Sequence, residues 1–183
     1  MFPTIIQKND FSWEYFQFMF FWALYCGMET LEEKIERVLK DRIELVPYDP
    51  CWDSLYEEEK RHLLSTFPAG MIGRIEHFGS TAVPGLCAKP VVDMLVEVSS
   101  LEAAKNEIAP VLEAKGYDYF WRSSGDDAKP PFYAWFIKRD SNGRRTHHIH
   151  MIEPHFSHWD RLLFRDYLIE NRNVSEEYAN LKL

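Results

Sequence analysis

The sequence contains little cysteine. Its 183 residues include three, Cys26, Cys51 and Cys87, an odd number without a close pair. This pattern predicts neither a disulfide framework nor a zinc ribbon, so a reducing cytoplasm is the expected location. A chain of this length buries roughly 70% of its unfolded surface and needs no covalent crosslink. With 46% hydrophobic and 27% charged residues, the composition indicates a globular protein.

Basic residues are also in deficit. The 21 Lys and Arg residues are outnumbered by 29 Asp and Glu residues, which gives a net charge of -8. Such a surface repels a nucleic-acid backbone and an anionic membrane, so neither partner is expected. A phosphorylated ligand would have to meet a local basic patch.

A hydrophobic run long enough to cross a membrane is missing at the N-terminus. Phe18 to Met28 gives eleven residues without a charge, whereas a spanning helix needs about 20. A secretory signal peptide is the alternative interpretation of this run. Asp10 and Glu14 oppose the positive flank that such a signal requires, and Tyr25-Cys26 does not resemble its cleavage site.

The same region is rich in aromatic residues, since nine of the 28 in the chain lie between Phe11 and Tyr25. We interpret residues 1–28 as an extension, either an accessory aromatic-rich helix or a segment upstream of the natural start. Thr30 and Glu33 then form a capping box that opens a polar helix. Residues 29–183 are therefore predicted to be the functional domain, and the apolar extension offers a surface for a homodimer.

The hydrophobic pattern after this point predicts an α+β fold: a mixed β-sheet with helices mainly on one face. A hairpin is predicted at Asp140 to Gly143, between two strand-like runs. The predicted strands include residues 43–46, 74–78, 90–98, 133–139 and 144–152. The predicted helices cover residues 31–42, 52–64, 100–115, 157–171 and 175–182, and Phe164, Tyr167 and Leu168 have the spacing of a packed face.

The loop after the strand at residues 74–78 contains the most informative chemistry. Gly79 permits a backbone that turns N–H groups toward an anion, and the hydroxyls of Ser80 and Thr81 add donors. Lys89 offers a positive charge, and Asp93 offers a carboxylate on the next strand. This set suits a phosphate together with a divalent metal such as Mg²⁺, and no organic cofactor is expected.

The segment His77 to Val96 resembles the GrpB family, small proteins with the fold of polymerase-beta-type nucleotidyltransferases. The resemblance begins at about residue 43 and also includes these segments: Tyr48-Asp49-Pro50 with Trp52, His148-Ile149-His150, Phe164 to Leu168, and Tyr178 with Leu181 and Lys182. It implies that Gly79 and Ser80 bind nucleotide phosphates. It also implies that Asp93 is a catalytic residue and a metal ligand.

The sequence departs from the wider superfamily at its second metal-binding carboxylate. The superfamily has an Asp-x-Asp pair, whereas Leu95 stands two residues after Asp93 in this chain. Glu97 shares the strand face but lies about 13 Å along it, too far to replace the missing ligand. A site for two metals, which shares acidic ligands, is weakened by this loss.

Histidines are the candidates to complete the metal site. His148 and His150 project to one face of a strand, where they could ligate one metal together with Asp93. His77, just before the phosphate loop, could join them. Such a mixed set favours manganese, zinc or iron over magnesium alone. Arg145 and the other basic residues of the hairpin are either a solvated turn or a rim for an anionic substrate.

Three functions follow as alternatives. The first is a nucleotidyltransferase that binds a nucleoside triphosphate or phosphometabolite with a divalent metal. The second is a non-catalytic nucleotide-binding regulatory module, because related domains are fused to dephospho-coenzyme A kinases. The third is a metal-dependent phosphohydrolase that uses Asp93, His148 and His150.

Overall fold

The computed structural model describes residues 29–41, 44–125 and 129–182. The chain divides into two parts between residues 41 and 42. In the first part, helix α1 (Leu31–Lys40) begins at Thr30, whose hydroxyl accepts from the Glu33 amide while Glu33 accepts from the Thr30 amide. The predicted capping box is therefore confirmed. The aromatic helix predicted within residues 1–28 lies outside the described residues.

The second part is built on a five-stranded mixed sheet, as the sequence predicted. Its spatial order is β1-β2-β5-β4-β3, and β2 and β5 are parallel while the other neighbouring pairs are antiparallel. The strands are β1 (Ile72–Phe78), β2 (Val92–Val98), β3 (Asp118–Ser123), β4 (Phe132–Arg139) and β5 (Arg145–Ile152). The parallel pair lies at the centre of the sheet.

The helices follow the predicted order. Helix α2 is Cys51–Thr66, and a helical segment consists of α3 (Leu101–Ala103), a π-helical turn (Ala104–Ile108) and α4 (Ala109–Ala114). A 3-10 turn (Ser157–Asp160) leads into α5 (Arg161–Glu170), which is followed by α6 (Arg172–Asn180). The predicted strand at residues 43–46 is reduced to a single bridge between Val46 and Ala88 among the residues described there.

The main hydrophobic core lies between one face of the sheet and α2 with the α3–α4 segment. Trp52 and Leu63 of α2 and Ile108 and Leu112 of the second segment are buried against the sheet. The sheet contributes alternate residues of its central strands, as the two-residue period of a strand requires: Met94, Val96, Ala134, Phe136, Ile149 and Met151. The opposite face of the same strands therefore carries the intervening residues, which include Asp93 and His148.

Two local structures at the ends of these elements are a hairpin turn and a helix N-cap. The predicted hairpin is confirmed: the Gly143 amide donates to the Asp140 carbonyl, and the Asp140 carboxylate accepts from the amides of Asn142 and Arg144. Ser100 caps α3, because its hydroxyl accepts from the Ala103 amide. Of the helices that the structure describes, none is long and apolar enough to span a membrane.

Candidate functional site

The loop between β1 and β2 packs directly against the strand that follows it. Gly79 has φ +75° and ψ -170° and precedes a 3-10 turn at Ser80–Ala82. A Cβ atom at Gly79 would lie 2.7 Å from Oδ2 of Asp93. The loop can approach the carboxylate this closely because residue 79 has no side chain.

Thr81 anchors the loop between β1 and β2 through two buried contacts. Its buried hydroxyl donates to the Val91 carbonyl at 3.4 Å and lies 3.0 Å from Nε2 of His77. Since that hydroxyl gives its proton to Val91, the Nε2–H group of His77 is the donor in the second contact. Thr81 therefore lines the site chiefly as a positioning residue, and Ser80 presents the loop's other hydroxyl.

A cavity of about 590 Å³ lies beside this loop. Of its described lining residues, Lys89, Arg145 and Lys182 are basic, and Asp93 is acidic. The full lining is Leu45, Ser80, Thr81, Ala88, Lys89, Val91, Asp93, Arg145, His148, Tyr178 and Lys182. Although the protein is acidic overall, positive charge is concentrated in this cavity. It comes from the loop between β1 and β2, from the start of β5 and from the end of the last helix.

The sheet register brings Asp93 and His148 together. The two residues are paired across the parallel strands β2 and β5, and Nδ1 of His148 lies 3.2 Å from Oδ1 of Asp93. Because the carboxylate can only accept, Nδ1–H of His148 is the donor. Nε2 of His148 is buried and has no hydrogen-bond partner among the residues that the structure describes. The site therefore contains a carboxylate that is oriented by the imidazole of His148.

Lys182 enters the site from the far end of the sequence. Its ammonium group donates to the Ser80 hydroxyl and lies 4.1 Å from the ring centroid of Tyr178. Burial lowers the pKa of Lys182, whereas the neighbouring Cys87 and Asp93 raise it to a smaller extent. Lys182 belongs to the region of family resemblance but was not predicted to be a site residue. Its role was missed because the contact joins residues 102 positions apart.

His77 and His150 are placed away from the Asp93–His148 pair. His77 pairs with Met94, so it faces α2, where its ring stacks on Tyr56 at 5.0 Å. Burial, which outweighs the opposing charges of Asp53 and Asp93, lowers the pKa of His77 to about 4. The geometry therefore assigns His77 to the support of Thr81 and does not bring it to the proposed metal site.

His150 shares a face with His148 but lies deeper, in an aromatic cluster. Its ring stacks on Tyr133 at 5.4 Å and meets Phe78 edge-on at 5.3 Å. Burial, reinforced by the positive charge of Arg161, lowers the pKa of His150 well below its ordinary value. Within the described part of the chain, Nδ1 of His150 is buried without a hydrogen-bond partner. The ring is a neutral part of this cluster and does not line the cavity.

The basic residues of the hairpin divide between structure and site. Lys138 pairs with the buried carboxylate of Glu59, and Arg139 pairs with Asp118 at 3.1 Å. Arg145 lines the cavity. Lys138 and Arg139 thus neutralise acidic side chains, and the rim for an anionic substrate stays a prediction that concerns Arg145.

Arg165 connects α5 to β1, the strand that precedes the Gly79-Ser80 loop. Its guanidinium donates to the His77 carbonyl at 2.7 Å, to Glu76 at 3.1 Å and to Asp166 at 2.7 Å. The Arg165–Asp166 pair is therefore more than a surface ion pair, because it holds the end of β1. No pattern in the sequence indicates the contact with Glu76.

The donor set limits the kind of metal that the site could hold. In the part of the chain that the structure describes, no three His, Cys, Asp or Glu side chains are grouped closely enough to bind one ion. A closed zinc site normally has four protein ligands, and a catalytic one three. Mg²⁺ is commonly bound by one or two carboxylates, with water and substrate phosphates completing its shell. Asp93 is a carboxylate of the kind that such an ion uses, whereas the imidazole of His148 is a ligand that zinc or iron prefers.

The five-stranded mixed sheet, with a Gly-Ser loop packed against an acidic residue on the next strand, is consistent with the nucleotidyltransferase-like class. The GrpB protein family model matches residues 42–183. The chain belongs to the GrpB family.

Relatives support this assignment. The glutamate-rich protein GrpB of Alkalihalophilus pseudofirmus is 36% identical over 146 residues, which cover 79% of this chain and 82% of that protein. UPF0157 protein YqkA of Bacillus subtilis is 36% identical over 144 residues, covering 78% of this chain but 39% of that protein. The crystal structure of conserved protein GrpB from Enterococcus faecalis matches with a TM-score of 0.64 and 31% identity, over 76% of this chain and 80% of that one.

The chain is also similar, over a shorter stretch, to a protein whose name states an activity. The dephospho-CoA kinase of Mycolicibacterium paratuberculosis is 33% identical over 110 residues, which cover 58% of this chain and 26% of that protein. The similarity thus concerns about a quarter of the kinase.

Proposed function

We propose that the cavity beside the Gly79-Ser80 loop binds the phosphate groups of a nucleoside triphosphate or phosphometabolite, together with a divalent metal. The observation that supports this best is the gathering of Lys89, Arg145 and Lys182 around Ser80 and Asp93 in one cavity. These residues come from distant parts of the chain, and the protein as a whole carries a net charge of -8. Positive charge lining a cleft raises the local concentration of an anionic ligand.

The three basic side chains have different tasks in this proposal. Lys89 is exposed and lines the cavity, so its ammonium group would be accessible to an anionic ligand. Lys182 is half-buried and already donates to Ser80, so a phosphate that binds there receives both an ammonium and a hydroxyl donor. Arg145 presents a guanidinium, which binds phosphate oxygens in a bidentate manner.

The metal would be held by Asp93, with His148 beside it. Bound there, a divalent ion would supply neutralising charge to the phosphates. The hydrogen bond from Nδ1–H of His148 fixes the carboxylate on the side of β5, and Gly79 packs against its other oxygen. Asp93 is thus oriented before any ligand binds.

Nucleotidyl transfer is the reaction that this site would support. A hydroxyl of an acceptor would attack the α-phosphorus of the nucleotide, forming a new O–P bond as pyrophosphate leaves and the acceptor loses its proton. The residue at the position of the superfamily's second carboxylate is Leu95, which is fully buried. Glu76 lies opposite Leu95, but Arg74 and Arg165 engage its carboxylate. Asp93 is therefore the acidic group on which transfer would depend.

Titration calorimetry of the full chain with ATP and Mg²⁺ or Mn²⁺ tests the binding. Lys89→Met removes a cation from the cavity, and we expect the affinity to fall about tenfold, as is typical for the loss of a charged contact. Arg172→Met is the matched control, since the Arg172 side chain is 93% exposed on α6 and does not line this cavity. An equal loss of affinity in both variants would contradict the assignment.

A regulatory module is the second candidate, favoured by the similarity to dephospho-CoA kinases. In this role the same cavity would bind an adenine nucleotide or a coenzyme A precursor without chemistry. Incubation with ATP, Mn²⁺ and a panel of hydroxyl acceptors separates the two functions: a transferase releases pyrophosphate and labels an acceptor, whereas a binding module does neither while retaining affinity.

A further inference from the structure

A second cavity, of about 180 Å³, adjoins the phosphate cavity. The two share Ser80 and Tyr178 in their linings. The other residues that line the second cavity are Phe78, Gly79, Arg161, Phe164, Arg165 and Leu168. A ligand that binds at Ser80 therefore has space on both sides of that residue.

The two cavities differ in chemistry. The first contains Asp93 and three cations, whereas the second is lined largely by rings and aliphatic carbon. Of the two arginines in the second cavity, Arg165 is engaged by Glu76, Asp166 and the His77 carbonyl. Arg161 lies over the Phe78 ring at 5.7 Å and contacts His158 at 3.3 Å. Neither arrangement resembles a second phosphate site.

Phe164 is the exposed ring of this cavity. The sequence predicted it to be a packing residue, but half of its surface is exposed, while Leu168 of the same helix is buried. The ring is held in place by an edge-to-face contact with Tyr178, with centroids 5.2 Å apart and planes at 89°. Tyr178 in turn carries the Lys182 ammonium over its own face. The exposed surface of Phe164 thus stands beside the phosphate site, in a fixed orientation.

The size of the second cavity suits one part of a ligand. Pockets for complete drug-sized ligands measure roughly 300–1,000 Å³, and the second cavity is smaller than this range. A planar ring system would fill it and cover Phe164, with an offset-stacked or edge-to-face contact. A bulky group would not fit a cavity of this volume.

We infer that the ligand of the phosphate site carries a planar aromatic base, which binds in the second cavity against Phe164. The site is then specific for nucleotides over inorganic polyphosphates and aliphatic phosphate esters. This inference rests on the proposed phosphate site and adds the chemical class of the group beyond the phosphates.

Calorimetry with Mg²⁺ compares inorganic tripolyphosphate with ATP, GTP, CTP and UTP on the full chain. We expect the tightest nucleotide to bind about tenfold more strongly than tripolyphosphate, because stacking on an aromatic side chain is typically worth this much or more. Phe164→Ala is expected to remove that advantage, so that the ratio of nucleotide affinity to tripolyphosphate affinity falls to about one in the variant. Phe164→Tyr retains a ring and restores it.

The control is Leu163→Ala, on the neighbouring residue of α5, which is 70% exposed and does not line the cavity. Because Phe164 is itself half-exposed, its variants are expected to fold, and thermal unfolding verifies this. Equal affinity for nucleotides and tripolyphosphate, unchanged by Phe164→Ala, would overturn the inference while the phosphate site stands. Failure of every ligand to bind would overturn both.

Discussion

Gly79 and Asp93 are in contact in a way that allows no side chain at position 79. A Cβ atom there would approach Oδ2 of Asp93 to 2.7 Å, and the backbone has φ +75° with ψ -170°. This part of conformational space is accessible essentially to glycine alone. Gly79 thus meets two demands. Its backbone conformation is one that other residues rarely adopt, and it packs closely against the Asp93 carboxylate on which the proposed site depends.

The first prediction separates these two demands. Gly79→Ala is expected to destabilise the protein by about 1–3 kcal/mol through the backbone and also to displace Asp93, which abolishes metal-dependent ligand binding. Gly85→Ala is the matched control, because Gly85 has φ +80° with nothing within 4 Å of a Cβ atom. Urea unfolding and calorimetry are measured on both. Unaltered binding in Gly79→Ala would contradict the predicted contact.

The second prediction concerns Lys182. Lys182→Met is expected to weaken tripolyphosphate binding about tenfold or more, because a charge-assisted hydrogen bond is lost. Lys182→Arg keeps a charge and is expected to retain most of the affinity. Since burial lowers the pKa of Lys182, its ammonium group loses its proton at a lower pH than that of an exposed lysine. The affinity of the wild type for tripolyphosphate is therefore expected to begin to fall at that lower pH. Calorimetry from neutral to alkaline pH measures this, and an identical profile in Lys182→Met would refute the role.

The third prediction concerns the stability of the protein at acidic pH. His150 and His158 are buried neutral beside Arg161, and burial lowers the pKa of His158 to about 4. In the unfolded chain both titrate near pH 6.5, so below that pH the unfolded state binds more protons than the folded state. Stability is therefore complete above about pH 6.5 and falls as the pH decreases toward 4. The free energy of urea unfolding, measured between pH 7 and 5, is expected to decrease steadily.

His150→Phe tests the source of that decrease. The substitution keeps an aromatic ring in the cluster and removes a buried nitrogen that has no partner. We expect a flatter dependence on pH than in the wild type, with stability at pH 7 equal or higher. A slope identical to that of the wild type would exclude His150 as a contributor.

The fourth prediction concerns the extent of the functional domain. Residues 29–183, expressed without the aromatic-rich extension, are expected to fold and to bind the same ligands, because the cavity and its lining residues lie after residue 44. The GrpB match begins at residue 42. Circular dichroism and calorimetry compare this fragment with the full chain. Loss of folding in the fragment would assign a structural role to residues 1–28.

The sequence was informative where the site is local. Gly79, Ser80, Lys89 and Asp93 lie within one loop and the strand that follows, and their spacing was sufficient to place them together. His148 was grouped with Asp93 as a candidate metal ligand, and the parallel register of β2 and β5 brings the two side chains into contact.

Other parts of the site depend on packing that spacing does not reveal. Lys182 reaches Ser80 only because α6 folds back over the phosphate loop. His77 faces α2 because of its register with Met94, which a strand pattern alone does not determine. Phe164 has the sequence spacing of a core residue, yet its partner Tyr178 leaves half of its surface exposed.

The most direct test of the account is calorimetry of the full chain with ATP and Mn²⁺, carried out on the wild type and on Asp93→Asn. Asparagine keeps the shape of the side chain and removes its charge, so the variant is expected to fold. We predict saturable binding that requires the metal in the wild type and is lost in the variant. Absence of binding while Asp93 is intact, or equal binding in both proteins, would contradict a metal-assisted phosphate site at Asp93.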